Sequence, residues 1–359
     1  MTNAARLLIF TILIVACGAV PTAAPAGRSG EGVNLVVDVQ GNLSLKRRGW
    51  SEYAPALFGM AVHNGDLLRL EGTSQATVAC SDLTLAKAAG GVNSVPCKVT
   101  RPVLVYGDSL IIPTRADTPS DIPIAISPRK TRLLSAHPTL RWSNVPGANS
   151  YKITVRGPNL TWSTDVSGKT ELVYPNSAPA LQPGATYKLT VQANNRSSDE
   201  EQGAGLGFTM LKPEEAQAVR GSEARIRNLG LAEPATRLLM ANLYASQGLS
   251  AEAIDQLQEL AKAAQEPAVL RSLGDLYLKV GLNRLAEGTY IQALDLSQKA
   301  NDIEGQAAAN NALALVYEAL GNNAEAIQRS QKALGWYQKL GDSNTAKQIQ
   351  DRLASLQKP

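Results

Sequence analysis

The amino-acid sequence predicts a multidomain β + α protein, with two all-β modules followed by an all-α helical solenoid. Three observations carry that prediction. Short runs of period-two alternation, punctuated by Gly, Asn and Asp, fill residues 33–211. From Lys212 onward the composition shifts to Ala, Leu, Gln and Glu without that alternation. Within this last regime small residues, tyrosines and glycines recur in register, which marks an internal repeat. The chain has 359 residues, 44% hydrophobic and 18% charged, so it is long enough for two or three domains and suits neither wholesale disorder nor a multi-span membrane protein.

The first residues form an address. Arg6 precedes an apolar run over 7–15 that is too short to span a bilayer, as in a secretory signal covering 1–26. Two processing routes stay open. In one, cleavage follows the small-residue site Ala24-Pro25-Ala26. In the other, Ile14-Val15-Ala16-Cys17, at 14–17, resembles the bacterial lipoprotein box, and Cys17 becomes the lipidated first residue. Both routes imply export to the periplasm or cell envelope, the second with a lipid anchor. Removing or lipidating Cys17 leaves Cys80 and Cys97, an even pair expected to form a disulfide in an oxidising compartment. The alternative is two buried thiols in a reduced protein.

In the first module, over 33–115, strands are expected at 34–39, 43–45, 67–70 and 76–79. Gly41-Asn42-Leu43-Ser44-Leu45, then Trp50, Gly59 and Asn64-Gly65-Asp66, resemble the FecR-type β domain of bacterial envelope proteins. Ser81-Asp82-Leu83 stands where that family has Asp-Gly, and the excursion from Cys80 to Cys97 interrupts the next strand. Lys46-Arg47-Arg48, with Trp50 and Tyr53, is a basic cluster interleaved with aromatics. It suits contact with an anionic envelope polymer such as teichoic acid or lipopolysaccharide, or with lipid headgroups, but three charges give a modest field, and a solvated turn is the plainer reading. A cell-wall glycan is the partner that the FecR-like module would take.

The second module, over 126–211, carries Leu140-Arg141-Trp142 ahead of a strand at 150–155, then Leu181-x-Pro183-x-x-x-Tyr187. This resembles a fibronectin type III or related Ig-like β-sandwich. The resemblance implies that Trp142 fills the inter-sheet core and that the Tyr187 phenol bonds back to the backbone as a tyrosine corner. Trp162 reads as a half-buried strand residue rather than a sugar-stacking platform.

In the helical region, over 212–359, the columns Ala241/Gly274/Ala314, Tyr244/Tyr277/Tyr317, Gly248/Gly281/Gly321 and Ala253/Ala286/Ala326 align. A further column holds Leu260, Ala293 and Ala333. These residues resemble a tetratricopeptide (TPR) array of about three repeats plus flanking helices, where small residues permit close packing and glycine ends the first helix of each pair. The second offset is seven residues longer than the first, close to two helical turns, which predicts lengthened helices around 294–311. Helices are also expected at 213–229 and, as a cap, at 343–356.

The TPR resemblance implies a concave groove that binds a protein or peptide through Leu238, Asn242, Arg271, Asp275, Asn311 and Leu315. Asn242 fits the subclass that clamps a terminal carboxylate, whereas Leu238, Asp275 and Leu315 depart from it, so a mixed polar and apolar segment is the implied partner. Arg271 and Asp275 lie one turn apart and are expected to form an exposed pair facing it. A net charge of +4 over 35 basic and 31 acidic residues is too thin for a dedicated nucleic-acid binder. His63 and His137 fall in separate modules, and neither a phosphate-binding loop nor a dinucleotide fingerprint is present; Gly203-Ala204-Gly205-Leu206-Gly207 precedes a strand and reads as a hairpin approach. No enzyme, cofactor or metal is therefore expected. The expected function is a non-enzymatic exported binding scaffold; the alternative is a signalling or glycan-binding β module with the helices as its docking element.

Overall fold

The computed structural model describes residues 31–98, 101–105, 121–201 and 206–358. The expected signal at 1–26, with Cys17, lies outside them, as does most of the Gly203 to Gly207 run. The described chain has an N-terminal β region followed by eight helices.

The first β module contains β1 (Asn34–Gln40), β2 (Leu43–Lys46), β3 (Ala54–Pro55), β4 (Ala61–Val62), β5 (Leu67–Ala79) and β6 (Leu85–Ser94). Its strand order is β3-β2-β5-β1-β4, with β6 also along β5. β2 pairs with the first half of β5 and β1 with the second half, so β5 is one strand where two were expected. β6 was not anticipated, because Ala88-Ala89-Gly90-Gly91 has little strand preference; pairing with β5 imposes the conformation. A straight ten-residue strand such as β6 would run about 33 Å. Cys80 ahead of it and Cys97 beyond it nevertheless have Cα atoms 5.5 Å apart, joined in the expected disulfide. The hairpin therefore folds back on itself. It does so where Gly72, Gly90 and Gly91 take φ of 57°, 45° and 77°, opposite an irregularity in the β5–β6 register. Val36, Leu45, Leu68 and Val78 fill the interior of this roll.

The second module comprises β7 (Ala125–Ser127), β8 (Thr131–Leu133), β9 (Thr139–Trp142), β10 (Ser150–Gly157), β11 (Leu160–Ser167), β12 (Glu171–Val173), β13 (Thr186–Ala193), β14 (Arg196–Ser197) and β15 (Phe208–Met210). A three-stranded sheet, β12-β9-β7, accompanies a larger one, β11-β10-β13-β15-β8, in which β15 and β8 are parallel. Trp142 is buried among their residues with its ring 5.7 Å from that of Tyr151. The Tyr187 hydroxyl accepts the Gln182 N–H at 2.7 Å, pinning the connection as expected. Trp162 is half-buried and stands edge-on to Tyr174.

The helices are α1 (Pro213–Arg227), α2 (Glu233–Ser246), α3 (Ser250–Ala263), α4 (Pro267–Lys279), α5 (Asn283–Lys299), α6 (Ile303–Ala319), α7 (Asn323–Leu340) and α8 (Ser343–Leu356). They pack as successive hairpins α2/α3, α4/α5 and α6/α7, with α8 against α7. Each pair turns at a left-handed glycine, Gly248, Gly281 or Gly321. The next residue's N–H reaches back to the carbonyl of the column tyrosine: Leu249 to Tyr244 at 2.9 Å, Leu282 to Tyr277 at 2.8 Å, and Asn322 to Tyr317 at 2.8 Å. This is the bond pattern that closes a helix through a left-handed residue. Ala253, Ala286, Ala326, Ala293 and Ala333 have no exposed surface, and at Gly274 a Cβ would come within 2.6 Å of the Tyr290 ring. The small columns thus mark where helices meet. The seven extra residues appear as 17-residue α5 and α6, against 14 and 13 residues in α3 and α4.

The disulfide closes a 17-residue separation, for which the chain-entropy model gives about 3 kcal/mol. Replacing both cysteines by serine is expected to cost about that much in urea unfolding followed by tryptophan fluorescence. Equal stability of parent and variant would contradict it.

Candidate binding face of the helical array

The first β module is seated on the helices. Arg47, at the end of β2, is buried; its Nε donates to Glu304 Oε1 on α6 at 2.7 Å and its Nη2 also reaches that oxygen. Nη1 donates to Asp66 Oδ2 at 3.2 Å, and Nη2 to the Ala61 carbonyl at 3.2 Å. Asp66 in turn accepts the backbone N–H of Arg48 and of His63. Burial alone would raise the Asp66 carboxyl, but His63 and the Arg47 guanidinium hold it below its ordinary range. Beside this pair Trp50 packs with Ala307, Ala333, Tyr337 and Leu340, and its indole N–H donates to Asp342 at 3.3 Å. The Ser51 N–H bonds the Leu340 carbonyl at 3.0 Å. Within the basic and aromatic cluster, Arg48 and Gly49 form an exposed turn, whereas Arg47 and Trp50 are turned inward. Arg47 and Trp50 are docking groups, and Tyr53 lies against Lys46 and Arg69 of its own module.

The second β module holds the array at its turns. The Arg132 N–H bonds the Gly248 carbonyl at 2.9 Å, and Arg129 Nε bonds the Val280 carbonyl at 2.7 Å while its two Nη atoms grip Glu201. Arg141 pairs with Asp255 on α3 at 2.5 Å. Glu252, also on α3, accepts the Leu134 N–H at 2.8 Å. Burial, opposed by that bond and assisted by Asp255, raises the Glu252 carboxyl from 4.5 to about 7.

The six residues implied as a groove have different fates. Leu238 is fully buried and Leu315 nearly so; both belong to the core cluster that also contains Leu35 and Val37 of β1. They are interior packing, not groove wall. Asn311 is buried and its side-chain oxygen accepts from Arg352 of α8. Arg271 does not pair with Asp275. It lies 3.5 Å from Asp302, the buried cap of α6, whose Oδ1 also accepts the Gly305 N–H at 2.8 Å. Burial raises the Asp302 carboxyl, with Arg271 opposing. Asp275 instead accepts the hydroxyl of buried Tyr290 at 2.5 Å, and its residue surface is exposed. The protein crowded around it raises its carboxyl despite Tyr290 and Arg271. Asn242 is half-buried and donates to the Leu238 carbonyl one turn back at 2.9 Å. Only Asn242 and Asp275 of the six thus present polar atoms without being tied to another helix of the next repeat.

A separate cleft of about 610 Å³ opens between α3, α4 and α5, with Leu270 and Leu273 lining it beside Gln258, Lys262, Gln292 and Lys299. Its lining mixes apolar and amide groups with Asp295 and Lys299, which pair at 2.6 Å. Among the described residues no group of three or more His, Cys, Asp or Glu could hold a metal, and no helix is long and apolar enough to cross a membrane.

Two outcomes follow from this geometry. Arg47→Ala leaves Glu304 and Asp66 buried without their cation, a loss of about 3–5 kcal/mol. It is expected to lower the thermal midpoint and expose Trp50, shifting tryptophan emission to the red; an unchanged spectrum and midpoint would contradict the docking role. Glu252 binds its proton more tightly in the folded than in the unfolded chain, so its contribution is full below pH 4.5 and is lost as pH rises through about 7. Glu252→Gln should flatten the thermal midpoint across that window, and an unaltered pH slope would count against it.

No family model and no curated protein matches the sequence. Among solved structures, the chain is similar to BtubC (BKLC) from P. vanneervenii, with 22% identity and a TM-score of 0.31 over 40% of this chain; the match spans 60% of the length of that protein. Two crystal structures of MamA are similar at 20% identity and a TM-score of 0.29, again over 40% of this chain and over 79% and 86% of theirs.

Proposed function

We propose that this chain is an exported, non-catalytic scaffold of the cell envelope that binds a protein or peptide through the exposed part of its helical array. On this reading the array is of the TPR type, the first module is FecR-like, and the second is a fibronectin type III or Ig-like sandwich. The observation that carries the proposal is Asp275. It is a solvent-accessible carboxylate on the first helix of the central pair, fixed by the Tyr290 hydroxyl at 2.5 Å and backed by a packed core. A polar group immobilised before a partner arrives loses little entropy on binding, which is what a recognition surface needs. Asn242, held by its own helix in the preceding pair, is the second such group. Of the basic cluster that suits an anionic polymer, Arg47 and Trp50 are engaged inside the molecule.

Arg271 is unsuited to a binding test, since its loss strips buried Asp302 of its cation. Asp275→Asn keeps an oxygen for Tyr290, and Asn242→Ala removes one amide from a half-buried site. Both are expected to retain the parent's thermal midpoint while losing about tenfold or more in affinity for a partner recovered from envelope extract, measured by calorimetry. If both variants bind as tightly as the parent, the exposed helical face is not the site.

A further inference from the structure

We propose that copies of this chain associate head to tail by strand addition, the free edge of β6 in one copy pairing with the free edge of β11 in the next. The directions of the backbone groups follow from the ladders. The Cys80 N–H donates to the Thr84 carbonyl at 2.8 Å, which sets the alternation along β6. Leu85, Lys87 and Ala89 face Ala79, Thr77 and Gln75 in the pairs that exchange no hydrogen bond. Their N–H and C=O groups therefore point away from β5. Among the described residues these groups meet one contact, from the Asn93 amide to the Ala89 carbonyl at 3.4 Å. In β11, the Gly168 N–H donates to the Asn149 carbonyl at 3.1 Å, so Thr161, Ser163, Asp165 and Ser167 likewise point away from β10. All seven side chains are exposed.

An uncovered edge of this length is a template for another strand, and the charge placed on it decides which strand it accepts. Neither β6 nor β11 contains proline, and each carries one charged residue, Lys87 on β6 and Asp165 on β11, of opposite sign. An antiparallel register that sets Lys87 opposite Asp165 also sets Ala89 opposite Ser163 and Leu85 opposite Ser167, so that the outward N–H and C=O groups of these six residues are satisfied. Pairing either edge with its own kind about its charged residue would oppose Lys87 to Lys87 or Asp165 to Asp165, which is unfavourable. The second copy is thus selected through the unlike edge. Because the two edges are different surfaces, each contact leaves one edge of each kind to pair again, and where the rotation between copies does not close a ring the result is an open chain.

Sedimentation equilibrium of the full chain tests this directly. The parent should form oligomers whose mean mass keeps rising with concentration. Lys87→Glu and Asp165→Lys should each weaken association about tenfold through like-charge opposition, and the double variant should restore it. Ala89→Pro deletes an N–H that faces away from β5, so it should abolish association while keeping the unfolding midpoint. A parent that stays monomeric up to its solubility limit, a double variant as weak as the single ones, or association that survives Ala89→Pro would each overturn the proposal.

Discussion

The buried guanidinium of Arg47 is the constraint on which the rest of the molecule depends. A cation taken out of water is tolerable only if its donors and its charge are both answered. Here Glu304 and Asp66 supply the charge, and the Ala61 carbonyl takes a remaining N–H. Two of these acceptors belong to the β module and one to α6. Arg47 is therefore fully answered only when module and array are together; separating them would strand Glu304 and leave the guanidinium with Asp66 and the Ala61 carbonyl alone. Trp50 and Ser51 extend the same seam to the turn between α7 and α8, where Gly341 is required because a Cβ would come within 2.8 Å of the Ser51 nitrogen.

This seam alters what a helical array can do. In an unattached solenoid each hairpin contacts only its neighbours, and stability is close to a sum over repeats. Here α6 is tied to β2, α3 to the end of β8, and the Gly248 and Val280 carbonyls to arginine and backbone donors of the second module. Sequence-distant contacts thus brace both the turns and the helix starts. The array is held as one piece, its core runs without a break into Leu35 and Val37 of β1, and the face available to a partner is narrower than its helix count suggests.

Much of the architecture was legible because it is local. The glycine and tyrosine columns mark a helix end whose bond pattern involves six consecutive residues, and α8 begins and ends where its apolar spacing implied. Cysteine parity sufficed for the disulfide, and the spacing from Leu181 to Tyr187 for the corner. What the chain did not disclose depends on partners far away in sequence. β6 is a strand because β5 is beside it, and its Ala-Gly composition carries no such signal. Arg47 was conspicuous beside Trp50, yet nothing local distinguishes a guanidinium bound for solvent from one bound for Glu304, 257 residues away.

The groove residues separate along the same line, and the reason lies in the repeat itself. Arg271 and Asn311 occupy equivalent positions in successive first helices, and each bonds forward: Arg271 to the cap of α6, Asn311 to Arg352 of α8. A position that reaches toward the next helix is answered by that helix whenever one follows, so these side chains tie neighbouring pairs together. One turn later the outcome depends on what lies opposite. Leu315 is buried, whereas Asp275 accepts the Tyr290 hydroxyl of its own hairpin and keeps its surface open. Equivalent columns in a repeat therefore share backbone placement without sharing exposure, and a carried-over binding position holds only where the neighbouring helix and the docked β modules leave it uncovered.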